Sequence, residues 1–298
     1  MEKTLWHNRY EENWLRAFPI GNGRVAAMAY GGPDREILQV NEESLWSGRQ
    51  LQEKYCSSPE ILAEIRSLLF AKRIEEAFAL CQKHLLCDPP MVRHYQTFGE
   101  IEICFDEAGY TDYQKSLDLD RAVVETSYQK TDSRFQSKTF ISQAQDALVY
   151  RIKATSPFNC TVSMDRVQDS VTSVADDSTL MMTGKITWED HELCGPAGEG
   201  MSFCGCLKVE TDGNISPEEG NSLRVQNATR LTIFGGFATN YNLKEFDIDE
   251  AVDHIGTAMK IAEDAHNIGG NARVDDKIHH LHLGAHILFH TVDLLSLI

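Results

Sequence analysis

The hydrophobic positions of this chain change their period as one reads along it. Up to about Gly48, the apolar runs Val25 to Tyr30 and Ile37 to Val40 are short and punctuated by Gly21-Asn22-Gly23 and Gly31-Gly32-Pro33. That pattern predicts strand, turn, strand. From Ser58 the spacing becomes helical: a Ser cap and Pro59 at the first helical position lead into Ile61, Leu62, Ile65, Leu68 and Leu69, and a second run carries Ile74, Ala77, Leu80 and Leu85. Two helices or one broken helix are expected, ending before Pro89-Pro90.

From Tyr95 to about Tyr241 apolar residues alternate with polar ones, as in Ile101/Ile103/Phe105, Leu148/Tyr150/Ile152, Phe203/Gly205/Leu207/Val209 and Leu231/Ile233, with polar loops between them. Many short strands with turn signals predict an antiparallel sandwich. No fixed-period repeat and no helical crossover between strands is visible, which disfavours a parallel α/β sheet. After Phe246 the helical period returns over Asp249 to Asn267; Gly269-Gly270 predicts a break, and a last amphipathic stretch runs from Val274 to Ile298. Its Leu281, Ala285, Leu288, Val292 and Leu295 form an apolar seam, from which self-association through this C-terminal helix is expected. The expected architecture is mainly β: a sandwich of antiparallel strands with two inserted helices over residues 1–246, followed by a C-terminal helical linker segment over residues 247–298.

Composition and charge narrow the partners. The 298 residues are 42% hydrophobic and 24% charged, enough for a full core. Against 28 Lys and Arg stand 45 Asp and Glu, a formal charge of -17. The summed field repels phosphate backbones and anionic lipid, so neither nucleic acid nor a membrane is expected as a partner, whereas neutral sugars feel little of it. The opening Met-Glu-Lys-Thr-Leu-Trp-His has no basic stretch leading into an apolar run, and a cytoplasmic protein is expected. The apolar run from Gly284 to Ile298 is too short for a membrane span and carries His286, His290 and Asp293. Eight cysteines without small-domain spacing read as free thiols.

Candidate chemistry is sparse. Trp46 in Asn41-Glu42-Glu43-Ser44-Leu45-Trp46-Ser47-Gly48 reads first as a packed indole closing a strand. The competing reading is a sugar platform: an indole face suits the C–H face of a pyranose, and Asn41 and Glu42 suit its hydroxyls. His279, His282, His286 and His290 recur at three- and four-residue steps, which reads as a polar helix face, with zinc chelation by His282, His286 and His290 as the weaker alternative. Cys204 and Cys206 alternate within a strand and are expected as packed thiols on one sheet face, not as metal ligands with His191 and Cys194. No carboxylate pair stands out as a glycosidase acid and its partner, and no dinucleotide loop, Walker loop or Gly-x-Ser-x-Gly elbow occurs. No cofactor is expected.

The run Ala17 to Arg24, continuing through Ala27 to Gly32 and Leu38-Gln39-Val40-Asn41-Glu42-Glu43-Ser44-Leu45-Trp46-Ser47-Gly48, resembles the N-terminal domain of glycoside hydrolase family 95, the α-L-fucosidases. Tyr95-Gln96-Thr97-Phe98-Gly99-Glu100-Ile101, Leu117 to Ala122 and Ala238-Thr239-Asn240-Tyr241 follow in the family's order, so the resemblance covers essentially the whole chain. It implies a super-β-sandwich and a helical linker. The acid and the water-activating groups of such enzymes lie in an (α/α)6 barrel after the linker, so the resemblance places no catalytic residue on this chain and implies a helical catalytic domain as its partner. The implied reaction of the whole enzyme is inverting hydrolysis of terminal α-L-fucosides. A stand-alone module binding fucosylated glycans, or a scaffold, is the alternative expectation.

Overall fold

A computed structural model describes residues 3–49, 57–86 and 89–270. The first strands are β1 (Thr4–His7), β2 (Phe18–Gly21), β3 (Val25–Ala29) and β4 (Arg35–Glu42), followed by the helices α1 (Pro59–Phe70) and α2 (Ile74–His84). The β-rich stretch comprises β5 (Gly99–Phe105), β6 (Thr111–Asp118), β7 (Val123–Lys130), β8 (Ser133–Ile141), β9 (Leu148–Asp165), β10 (Ser170–Asp176), β11 (Thr179–Trp188), β12 (Gly198–Thr211), β13 (Asn214–Glu218) and β14 (Ser222–Thr239). Two-residue strands β15 (Tyr241–Asn242) and β16 (Asp247–Ile248) precede α3 (His254–Gly270).

Fourteen of the described strands form one antiparallel sheet whose main path is β1-β6-β7-β8-β9-β14-β12-β11-β10. A branch of β2, β3, β4 and β5 joins it at β9. The junction is made by a single strand. Residues 148–154 of β9 pair with β8, whereas residues 160–165 pair with β5. Opposite this change of partner, β14 shifts register between Val225 and Ala228 and again before Arg230. Bulges of this kind bend a strand and turn a sheet over upon itself. The two resulting layers enclose the core, in which the Phe98 ring lies edge-on to Phe203 at 5.4 Å and to Phe237 at 5.1 Å.

The alternation expected from the sequence is present where one face meets solvent, as in β5, whose odd positions are buried and even ones half-buried. In β9 and β14 the alternation fades because a second layer covers the outer face. Helix α3 lies there: Ala265 packs with Phe140, Val149 and Phe234, and Ala258 and Ala262 pack with Cys204, Cys206 and Ala238. A Cβ on Gly236 would meet the carbonyl oxygen of Ala258 at 2.2 Å, so glycine is what lets strand and helix backbones approach this closely. Cys204 and Cys206 are the buried thiols on one face that their spacing predicts; burial pushes them up to about 12 and about 11. Among the described residues, no group of three His, Cys, Asp or Glu is arranged to hold a metal ion.

One expectation needs correction. The last described helix starts at His254 and not at Asp249: the Asp253 carboxylate accepts the Gly256 amide at 2.8 Å, a helix-capping contact, while Asp247–Ile248 pairs with Tyr241–Asn242. Gly270 is the last described residue of this helix, so the break expected at Gly269-Gly270 falls at the edge of the described residues. The insertion after β4 is two helices, joined through Lys72, which adopts a left-handed φ of 61°. They bury little, with only Ile65 and Ala77 enclosed and Phe70 and Phe78 exposed. The seam from Leu281 to Leu295, the histidines at 279, 282, 286 and 290, and Cys56 and Cys87 lie outside the described residues. No described helix is long and apolar enough to cross a membrane.

Two buried ionisable groups, Glu36 and Lys115, are each held by backbone hydrogen bonds. Glu36 is enclosed and accepts the Gly31 amide at 2.8 Å, and burial raises its carboxyl to about 8. Lys115 Nζ donates to the carbonyl oxygens of Arg16 at 2.7 Å and Tyr30 at 2.8 Å, and burial brings its ammonium down to about 8.

Candidate functional site

The most distinctive segment of the sequence, residues 41–48, leaves β4 and forms one wall of an open cleft of about 840 Å³. Its backbone is zipped to a second segment: the Ser47 amide donates to His94 O at 3.0 Å and the Gln96 amide to Leu45 O at 2.9 Å. Leu45 is fully buried and anchors the loop. Gly48 ends it with φ +92°, where a Cβ would also meet Arg93 Cγ at 2.8 Å.

Glu42 is the organising group. Its Oε2 accepts the Ser44 amide at 2.9 Å and the Ser44 hydroxyl at 2.7 Å, while its Oε1 accepts Arg24 Nη1 at 3.0 Å. Arg24 in turn donates to Phe237 O at 2.9 Å and pairs with Asp146 at 3.3 Å. Ser44 Oγ lies 2.5 Å from Thr239 Oγ1 at the end of β14, and the Tyr95 hydroxyl donates to Glu42 O at 2.9 Å. Burial raises the Glu42 carboxyl, opposed by the Ser44 hydrogen bonds and the Arg24 charge. Both of its oxygens are therefore engaged in holding the loop. Asn41, on the opposite side of the strand, is buried, and its Oδ1 has no hydrogen-bond partner.

Trp46 is half-buried, edge-on to Tyr95 at 5.2 Å, with Nε1 donating to Glu43 O at 3.2 Å. It lines the cleft with Ser47, Met91, Tyr241 and Phe246. Packing and an accessible edge thus coexist at this indole. The far rim is held by Arg93, which stacks on Trp188 at 5.6 Å and donates to Glu189 O at 2.9 Å and Pro196 O at 2.7 Å. Glu43 and Asp247 are the cleft's carboxylates; partial burial raises Glu43 above its ordinary range.

The structure brings Glu42 and Trp46 into one loop and sets Asn41 behind it; the histidine run lies outside the described residues. Arg24, Ser44, Tyr95, Arg93 and Thr239 were missed as site residues. Arg24, Ser44, Tyr95 and Thr239 lie inside the segments that carry the family resemblance, which was the available signal; the partnership of Arg93 with Trp188 spans 95 residues and left none.

Residues 5–244 match the family described as "Glycosyl hydrolase family 65, N-terminal domain", and the chain belongs to that family. It is similar to "Alpha-L-fucosidase 2" of Arabidopsis thaliana, 28% identical over 257 residues, covering 77% of this chain and 29% of that protein. It is also similar to "Probable alpha-fucosidase A" of Aspergillus niger, 30% identical over 165 residues, covering 52% of this chain and 20% of that one. The protein of the same name from Aspergillus oryzae is 23% identical over 254 residues, covering 80% and 34%. The resemblance to fucosidases read from the sequence stands. The chain spans between a fifth and about a third of the length of these relatives.

Proposed function

We propose that this chain is the N-terminal domain of an α-L-fucosidase, and that it supports an adjoining helical catalytic domain and does not itself break glycosidic bonds. The observation that carries this reading is the use made of Glu42: of the two carboxylates in the most family-like segment, the buried one is spent on Ser44 and Arg24, building the loop that presents Trp46. A carboxylate that is buried and accepts three hydrogen bonds from Ser44 and Arg24 is not presented to a leaving group or a water. The domain's contribution to the reaction is then shape and rigidity, with the acid and the activated water supplied by the neighbouring domain.

The test is hydrolysis of an aryl α-L-fucoside by this chain and by the full product of its gene. The chain alone is expected to show no turnover, and the full product to release fucose with inverted anomeric configuration, read by proton NMR. Turnover by the chain alone, abolished in Glu43→Gln, would overturn the reading and place the chemistry in the cleft. Tight binding of fucosylated oligosaccharides by a chain whose full gene product has no activity would favour a binding module instead.

A further inference from the structure

Among the described residues, four strands of the large sheet have a neighbour on one side only: β1, β2, β10 and β13. An open edge offers unpaired backbone N–H and C=O groups to another strand, and proteins guard such edges with brevity, proline or charge. Three of the four are guarded. β1 has four residues, β2 has four and carries Pro19, and β13 carries Pro217 next to Glu218. The fourth is bare. Pairing of β10 with β11 runs without interruption from Ser170 to Val174, and Ser170-Val171-Thr172-Ser173-Val174 contains no proline and no charge. A register shift and Asp176 disturb the strand only past Val174. Val and Thr at three of these five positions favour the extended backbone. The strand is also fastened in place: Thr172 Oγ1 donates to Met164 O at 2.7 Å and Ser170 Oγ to Arg166 O at 3.3 Å.

We propose that β10 is a dimer interface, at which it pairs antiparallel with β10 of a second copy of this chain and joins the two sheets edge to edge. A two-fold axis at Thr172, the midpoint of the regular stretch, sets Thr172 opposite Thr172, Val171 opposite Ser173 and Ser170 opposite Val174. Directly opposed residues share a face, so the alternation of both copies is kept. Half-buried Ser170, Thr172 and Val174 stay on the inner side, and exposed Val171 and Ser173 on the outer. Val171, 69% exposed, comes diagonal to its counterpart, within reach of side-chain contact. Charge favours a copy of the same strand over a foreign one. The chain carries -17, so two copies approach closely only through surface that is itself uncharged, and Ser170 to Val174 meets that condition. The same segment has no charge with which to select a basic or acidic foreign strand. The two-fold contact uses up both edges, so assembly stops at the dimer. The proposal is independent of the fucosidase reading, and it places association on the sheet and not on the seam from Leu281 to Leu295.

The test is sedimentation equilibrium of the intact chain from about 1 µM to about 500 µM. A ladder of five residues per copy is a small interface, so a monomer–dimer equilibrium in the micromolar range is expected, with no larger species. Raising salt from about 20 mM to about 500 mM should tighten the dimer severalfold, because it screens repulsion between two acidic chains and the ladder has no ion pair to lose. The double variant Val171→Lys/Ser173→Lys, at two exposed positions, sets like charges directly opposite one another on both sides of the axis. It should weaken dimerisation by about tenfold or more with an unchanged circular dichroism spectrum, and Val171→Glu/Ser173→Glu should do the same. Mixed in equal amounts, the two variants should recover a heterodimer, because the same register then opposes lysine to glutamate. The proposal is overturned if the parent stays monomeric up to about 500 µM or if its dimer loosens as salt rises. It is equally overturned if the lysine variant dimerises as tightly as the parent, or if the two variants fail to associate with each other.

Discussion

Replacing Gly236 by Ala isolates the contact between α3 and the sheet. The new methyl carbon would lie 2.2 Å from Ala258 O and 2.9 Å from both the Ala262 amide nitrogen and Ile261 Cβ, against 3.4 Å for ordinary contact. Neither partner can yield locally: Gly236 is in register with Cys206 in the sheet, and two of the three atoms belong to helix backbone. Relief requires α3 to lift by about 1 Å, which loosens Ala258, Ala262 and Ala265 from Cys204, Cys206 and Phe234. Overpacking of this kind costs about 1 to 3 kcal/mol. For a domain of this size each kcal/mol lowers the melting temperature by about 2 to 4 °C, so a fall of about 2 to 12 °C is expected by scanning calorimetry. Amide exchange should accelerate along Ala258 to Ala265 and remain slow in β5. A variant that melts with the parent and keeps α3 protected would show that the helix does not sit on the sheet as described.

Other expectations concern the loop, the buried Glu36 and the thiols. Glu42→Ala leaves Arg24 and the Ser44 amide without their carboxylate and should cost about 2 to 4 kcal/mol by urea unfolding; an unchanged midpoint would remove the loop's structural role. Trp46→Ala, at a half-buried site, should cost about 2 kcal/mol, below the range for a fully buried indole, and a melting point equal to the parent's would favour a purely ligand-facing role. Glu36 holds its proton more tightly folded than unfolded, so stability should decline as pH rises from about 4.5 to about 8, and Glu36→Gln should flatten that decline; the same slope in the variant would assign it elsewhere. Native Cys160, Cys204 and Cys206, whose thiols burial pushes up to about 12, 12 and 11, should resist a disulfide reagent at pH 8 that modifies them once the chain is unfolded.

Much of the fold is legible because one face of most strands meets water and the other the core. That contrast makes Ile101, Ile103 and Phe105 readable as a strand and puts Cys204 and Cys206 on one side of β12. Legibility fails where a layer covers both faces. Leu148 to Ile152 are all buried, and the sequence does not reveal that α3 lies over part of them. Nor does it reveal the corner near Phe158, because a bulge is a relation between two strands and not a property of either. At the site, Trp46 and Glu42 carry a local signal, whereas the partners that define their roles lie far along the chain. Arg24 reaches Glu42 across 18 residues and Thr239 reaches Ser44 across 195, distances over which no periodicity speaks. The start of α3 was misplaced because Asp249 and Asp253 both suit a helix cap, and the pairing of β15 with β16 decides between them.

The sharing of β9 between two layers has a genetic corollary. A β-sandwich whose halves are built from separate strands can be divided, swapped or rejoined at the loops between them. Here any cut between residues 148 and 165 severs a strand on which both β8 and β5 depend, and a cut before it strips both layers of their common member. β14 imposes the same condition further along, since it holds β9, β12 and β13 together. The domain is thus a poor source of smaller interchangeable parts. Recombination or gene fission that preserves it has to act outside residues 4–239, and split-protein complementation placed inside that span should return folded material only when both fragments are made together.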